Sequence, residues 1–428
     1  MKNTMRILFF IISLLSSTYS RANYILIPMD ESQTDHLKAY GIAYMVIDKG
    51  VETFWLLNYR GGSFAFAQAP LFEKECKIRN VKYEVIPDGK YNAIVQEIAN
   101  PQANMDVMKL EKAPKIAVYT PEVSDKGDKI QPWDDAVTLV LTYAEIPYDV
   151  VYDTEVLHGK LAKYDWLHLH HEDFTGQYGR FYSAYRGMPW YEAHVKRMED
   201  LATQNGFKKV SQCKLAVAQT IKSWVTGGGF MFAMCSATDS YDIALAAEGT
   251  DICSEMFDGD AQDPKAQSKL DFGKTFAFKD FTLVQNPYVY EFSSIDATDF
   301  HQTMDMKQDY FSLFDFSAKW DPVPTMLTQC HTRSIKGFMG QTTAFYTKNI
   351  KSEVLVMGEF KPGADARYIH GEYGQGMWTF YGGHDPEDYQ HKVGDPPTDL
   401  SLHPNSPGYR LILDNVLFPA AKKKKRKT

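Results

Sequence analysis

The chain has 428 residues, 44% of them hydrophobic and 23% charged, with 54 acidic against 46 basic side chains. That composition excludes a disordered chain, a collagen and a polytopic membrane protein, and the length predicts about two to three folded units with sizeable apolar cores. Five cysteines, an odd number with no Cys-x-x-Cys pair, exclude a disulfide framework.

The first 22 residues read as a secretory leader: Lys2 and Arg6 in a short basic start, an apolar run from Ile7 to Leu15, then small and polar residues to Ala22. The run is about half of what a membrane span needs, and no cysteine follows it to carry a lipid anchor. The expected mature product is therefore soluble and exported, in a periplasm or outside the cell. Residues 421–428 form a basic tail, with six consecutive cations from Lys422 to Lys427. Such a tail reads as a solvated end or as a contact with an anionic envelope surface. Between leader and tail the body is acidic, which argues against a nucleic-acid reader.

From Asn23 to Met108 short apolar runs alternate with helix-like stretches. Strands are predicted at 24–28, 53–57 and 81–86, and helices at 34–46, 70–79 and 90–98, with a turn at Asn58 to Ser63. This predicts a small α/β unit (23–108) with a parallel sheet. The polar stretch from Asn100 to Pro114 reads as a boundary.

A second unit (114–420) follows, with strands at 115–120, 148–152 and 163–171, helices at 133–144, 192–206 and 215–226, and a buried strand at Phe230 to Met234. A helix from Thr238 to Glu248, a strand at 353–359, a hairpin through 368–380 and a closing helix at 407–417 complete it. The pattern predicts a doubly wound, mostly parallel α/β sheet. Residues 250–345, dense in Phe, Tyr and Asp, read as a β-rich insertion.

Cys235, between a buried strand and a helix, occupies the place where a thiol meets a helix N-terminus and backbone N–H groups, the setting of a nucleophile. Ser236 shares that turn. The other four cysteines read as structural thiols or one incidental disulfide. Near the end of an earlier strand stand His168, His170, His171, Glu172 and Asp173. Strand alternation puts His168 and His170 on one face and His171 on the other, and the crevice at the sheet's carboxyl end would gather His170, His171, Glu172 and Asp173 as a pocket rim. Asp134, at the start of the first helix of this unit, faces the same crevice. Imidazole with carboxylate suits zinc, but the spacing is not diagnostic: no metal ligand is assigned and the sequence requires no cofactor.

The strand order, Cys235 after a Gly-rich helix end, and His384 in the late loop Gly382-Gly383-His384-Asp385-Pro386-Glu387 resemble the class I glutamine amidotransferase-like superfamily, a flavodoxin-like fold. The His loop with its closing helix is similar to the branch that contains the trehalose-utilisation proteins. The resemblance implies Cys235 as nucleophile and His384 as base, with Glu387 or Asp385 as the carboxylate that orients the imidazole. An asparagine synthetase of the type needing a mature N-terminal cysteine and a Ser-Gly-Gly-x-Asp-Ser loop is not supported by the residues. Two classes of function stay open: a Cys-dependent hydrolase or transferase of an amide, ester or peptide-like bond, and a non-catalytic protein. The latter would bind a saccharide or envelope component through the crevice, or act as an envelope assembly factor. The expected partner is thus a small-molecule, saccharide or peptide ligand, with no nucleic acid.

Overall fold

The computed structural model describes residues 23–121 and 133–421; the predicted leader and the cations of the tail lie outside the described residues. No helix among the described residues is long and apolar enough to cross a membrane.

The N-terminal strands β1 (Asn23–Ile27), β2 (Thr53–Leu57), β3 (Ser63–Ala67), β4 (Glu84–Pro87) and β5 (Asp106–Leu110) form one sheet in the order β4-β1-β3-β2-β5. Every pairing in it is antiparallel, where the sequence pattern predicted parallel strands. The turn after β2 is the cause. Arg60, Gly61 and Gly62 all have positive φ, of 45°, 77° and 90°, so the chain reverses at once and Ser63–Ala67 pairs back on β2 instead of leaving for a helix. β5 lies within the stretch read as a boundary, its alternation masked by neighbouring Asn and Pro.

Helices α1 (His36–Asp48) and α2 (Pro70–Ile78) pack on one face of this sheet, and α3 (Asp88–Ala99) covers the other. Because α1 is buried nearly all round, it also touches two later helices, α4 (Ala136–Tyr143) and α8 (Pro407–Leu417). The approach is close: a Cβ on Gly41 would stand 1.8 Å from the Ala144 carbonyl oxygen, so only glycine fits. Residues 23–110 and 116–421 carry separate sheets but share one apolar core.

The larger sheet is mixed. β7 (Asp149–Val151), β6 (Ile116–Tyr119), β8 (Trp166–His170), β9 (Phe230–Met234) and β15 (Gly376–Tyr381) run parallel. β14 (Asp365–Tyr373), β13 (Leu355–Phe360), β10 (Tyr310–Leu313) and β11 (Ser334–Lys336) extend it antiparallel, and β12 (Phe345–Tyr346) pairs with β14. Both faces are covered, which is why β9 reads as an unbroken apolar run. Phe230, Phe232 and Met234 face α4 and α8. Met231 and Ala233 face α6 (Val210–Thr226) and α7 (Ser236–Ala246), with α5 (Pro189–Gln204) outside α6. Full burial of each large side chain is worth about 1.5–3 kcal/mol, so this strand anchors the layer.

The region predicted as a β-rich insertion is instead irregular, with short helical turns at Glu255–Asp258, Ala266–Lys269, Thr298–His301 and Pro322–Leu327. Its strands β10 and β11 form the far edge of the main sheet, and its segment 338–343 folds back over the carboxyl ends of the parallel strands.

Candidate functional site

Cys235 sits where β9 turns into α7, at φ 54° and ψ −141°. A non-glycine residue rarely adopts this backbone, and such strain gathers at sites where a side chain must stand on a sharp elbow. The sulfur is not presented to solvent, however. It is 1% exposed and accepts the N–H of Gln341 at 3.2 Å. Burial pushes the thiol up to about 11, against the opposing pull of the backbone N–H groups of Gln341, Thr342 and Ser236. The covering segment is locked in place. His384 N–H donates to Met339 O, Gly383 N–H donates to Thr342 O, and a Cβ on Gly340 would fall 2.9 Å from His384 N.

Among the described residues no hydrogen bond joins Cys235 to His384. With a thiol near 11, about one Cys235 in 10³ is ionised at pH 8. Iodoacetamide is therefore expected to leave it unmodified in the native protein at that pH, with labelling rising about tenfold per pH unit toward 11; peptide mass spectrometry reads the result. Fast native labelling of Cys235 at pH 8 would contradict the sealed elbow.

His384 faces a different set of groups. β8 carries His168 and His170 on one face, as alternation requires, but His171 has φ 53° and does not continue the strand. Its ring therefore stacks on His170, with centroids 3.7 Å apart and planes 16° apart, where the strand pattern had sent it to the opposite face. His384 stands edge-on to both, at 4.9 Å from His170 and 4.0 Å from His171, and His391 lies 4.3 Å beyond it.

Two carboxylates border these rings. Asp135 caps α4 through the N–H groups of Val137 and Thr138, and its other oxygen lies 3.0 Å from His170 Nδ1 and 3.1 Å from His168 Nε2. Asp134 lies 3.1 Å from His391 Nε2, and Asp388 lies 2.9 Å from His391 Nδ1. Burial opposes the charge on His391, yet Asp134 and Asp388 raise it to about 9. Burial, then the neighbouring imidazoles, hold His171 and His384 well below the ordinary histidine range. His170 Nε2, His171 Nε2 and both ring nitrogens of His384 are buried without a hydrogen-bond partner, each at a cost of about 1–3 kcal/mol.

The other residues singled out in the sequence lie elsewhere. Glu172 points beneath the sheet end, where its carboxylate meets Lys214 Nζ at 3.4 Å and Tyr152 OH at 3.1 Å. Asp173 accepts the N–H groups of Thr175, Gln177 and Gly179 at 2.7, 2.7 and 2.9 Å, organising the chain after β8. Both are structural groups under the site, not a pocket rim. Asp385 accepts the N–H of Glu387 at 2.9 Å, and Glu387 lies 3.1 Å from His403 Nδ1. Neither carboxylate makes a hydrogen bond to the His384 ring. Ser236 is buried with its hydroxyl unpartnered. Sequence reasoning missed His391, Asp135 as the partner of His170, and the covering segment 338–343. The run from His384 to His391 held the one available signal, a second histidine with an intervening Asp388 in the same loop.

Beside the cluster opens a cleft of about 840 Å³, walled by Trp133, Tyr143, Tyr148, Leu400, His170 and His171. Aromatic side chains stand beside imidazole and carboxylate groups in its wall, with the Trp133 ring 5.7 Å from that of His171, the usual mixture of packing and orienting groups. The five cysteines are free thiols, Cys330 half-buried and the others buried.

No model of a known protein family matches this chain, and no curated protein does. The solved structures similar to it include two that are each 11% identical, each match covering 72% of this chain and 100% of the other. They are cytoplasmic protein STM3548 from Salmonella typhimurium, with a TM-score of 0.34, and cytoplasmic protein STM1381 from Salmonella typhimurium LT2, with a TM-score of 0.32.

Proposed function

We propose that the chain is an exported member of the class I glutamine amidotransferase-like superfamily whose reaction centre is the histidine–aspartate cluster, where a small neutral ligand of saccharide size is bound and hydrolysed. Cys235, the superfamily's nucleophile by position, has a structural role in this reading. The observation that carries it is the division at the sheet end: the Cys235 sulfur is sealed under Gln341 and Thr342, while His170 and His171 stand in the cleft wall with His384 against them. The run of parallel strands, the elbow dihedral at Cys235 and the place of His384 after β15 support the superfamily assignment.

Tyr148 and the side of the Tyr143 ring away from Lys38 offer aromatic surface on which a sugar ring stacks, and the imidazoles supply lone pairs and protons next to it. The leader and basic tail expected from the sequence are consistent with work on an envelope or extracellular glycan.

The test is hydrolysis of chromogenic glycosides, with amides and esters alongside, by the native protein and two variants. His384→Ala is expected to lower turnover by about 10²–10⁴-fold, the range for loss of an acid–base group, and Cys235→Ala is expected to keep it within about threefold of native. Loss in Cys235→Ala with retention in His384→Ala would reverse the assignment and restore the thiol mechanism.

A further inference from the structure

Three imidazoles from two strand ends bring their nitrogens to one point. The ligand atoms of His170, His171 and His384 all lie within 4.8 Å of one another, and those of Asp134, His384 and His391 do likewise, with His384 common to both groups. Four nitrogens around a zinc-sized ion at about 2.0–2.1 Å are about 3.3 Å apart, so the first group needs only side-chain adjustment to close on a cation.

We propose that His170, His171 and His384 hold one divalent transition-metal ion, of the zinc class, at the carboxyl end of the parallel strands. The inference extends the reading of the cluster as reaction centre, yet it stands on geometry alone and is tested without turnover. Three observations carry it. His170 and His384, only 3% and 5% exposed, keep ring nitrogens with no hydrogen-bond partner, and His171 Nε2 shares that condition. Asp135 stands 3.0 Å from His170 Nδ1, so its charge favours a proton on that nitrogen and leaves Nε2 as the lone-pair atom, the carboxylate–histidine–metal relation. The left-handed backbone of His171 (φ 53°) turns a ring that strand alternation would bury on the other face into the same cluster.

The donor set selects the ion. Neutral imidazole suits zinc, copper, nickel and iron, whereas calcium and magnesium require oxygen. Three protein ligands leave a fourth position open, the arrangement of a reactive site rather than a closed structural one. The Asp134–His391 pair borders that site on the far side of His384.

The test measures metal on the full-length mature protein. After dialysis against chelator, it is equilibrated with Zn²⁺ or Co²⁺, with stoichiometry by elemental mass spectrometry, affinity by calorimetry, and the Co²⁺ visible spectrum as a report of nitrogen coordination. The expected result is about one ion per chain, weakened about 10²-fold or more in His384→Gln and about 10–100-fold in Asp135→Asn, which touches the ion only through His170. His158→Ala, an exposed histidine remote from the cluster, is expected to bind as the native protein does. Far-ultraviolet melting of each variant separates lost ligands from lost fold, and the Co²⁺ spectrum of the native protein needs no variant. Less than about 0.1 ion per chain in saturated native protein, or full binding by a folded His170→Gln/His384→Gln protein, would overturn the site. Glycoside hydrolysis by protein that binds no metal would sink this inference and leave the functional reading standing; metal binding without hydrolysis would do the reverse.

Discussion

Lys214→Met is expected to destabilise the protein by about 3–5 kcal/mol, the cost of removing one partner from a buried charge cluster. Lys214 Nζ is fully buried and lies 2.9 Å from Asp153, 3.4 Å from Glu172, 2.9 Å from Tyr119 OH and 3.2 Å from Tyr152 OH. Without the ammonium, two carboxylates at 1% exposure face each other across two phenols. Burial works against the lysine's charge, but Asp153, the tyrosines and Glu172 outweigh it and hold its proton more tightly than in the unfolded chain. The contribution is therefore complete at neutral pH and is lost only as pH climbs past the ordinary lysine range. Urea titration at pH 7 is expected to show a lower midpoint at unchanged slope, and Lys214→Met/Asp153→Asn/Glu172→Gln to recover part of the loss. A midpoint within experimental error of the native value would mean that the cluster is not ionised.

Arg410→Ala is expected to cost a similar amount, about 3–5 kcal/mol, because several hydrogen bonds from a charged donor disappear together. From helix α8 this buried guanidinium donates to the carbonyls of Met29, at 2.9 Å, and Gly61, and to Tyr40 OH at 3.2 Å; Tyr40 in turn donates to Asp414. These three acceptors belong to the N-terminal unit, Tyr40 on α1 and Met29 and Gly61 in its connections, so one side chain from the last helix ties down the start of the chain. Far- and near-ultraviolet circular dichroism are expected to report one coincident guanidinium transition in the native protein and a single earlier one in the variant. Two separated native transitions would show that the shared core does not couple the layers.

How far the sequence revealed this molecule depended on the range of the forces involved. Helices and buried strands were legible wherever apolar residues repeat locally: Phe230 to Met234 announced a strand buried on both faces, and the junction after it placed Cys235 at a strand–helix turn. The N-terminal sheet was misread because its direction turns on the positive φ of Arg60, Gly61 and Gly62, which the residue types permit but do not demand. At the site, the positions of His170 and His384 were legible and their company was not. Gln341, which closes over the Cys235 sulfur, is more than a hundred residues away in sequence. Glu172 reads as a pocket-rim acid until Lys214, on helix α6, is seen to reach it. His171 broke strand alternation through one backbone angle that no periodicity encodes.

Strand β9 lies between two neighbours that arrive at very different times. Phe230 pairs with Trp166 on one side and with Met377 on the other, so during synthesis the Phe-Met-Phe-Ala-Met run has its β8 partner in hand long before β15 exists. In that interval it presents an open, wholly apolar edge, the template on which a second chain adds. Docking of β15 is a first-order event slowed by the long loop it must close, whereas capture by another molecule is second order. Recovery of native protein from denaturant is thus governed by concentration: dilute chains have time to wait for their own last strand, and crowded ones do not.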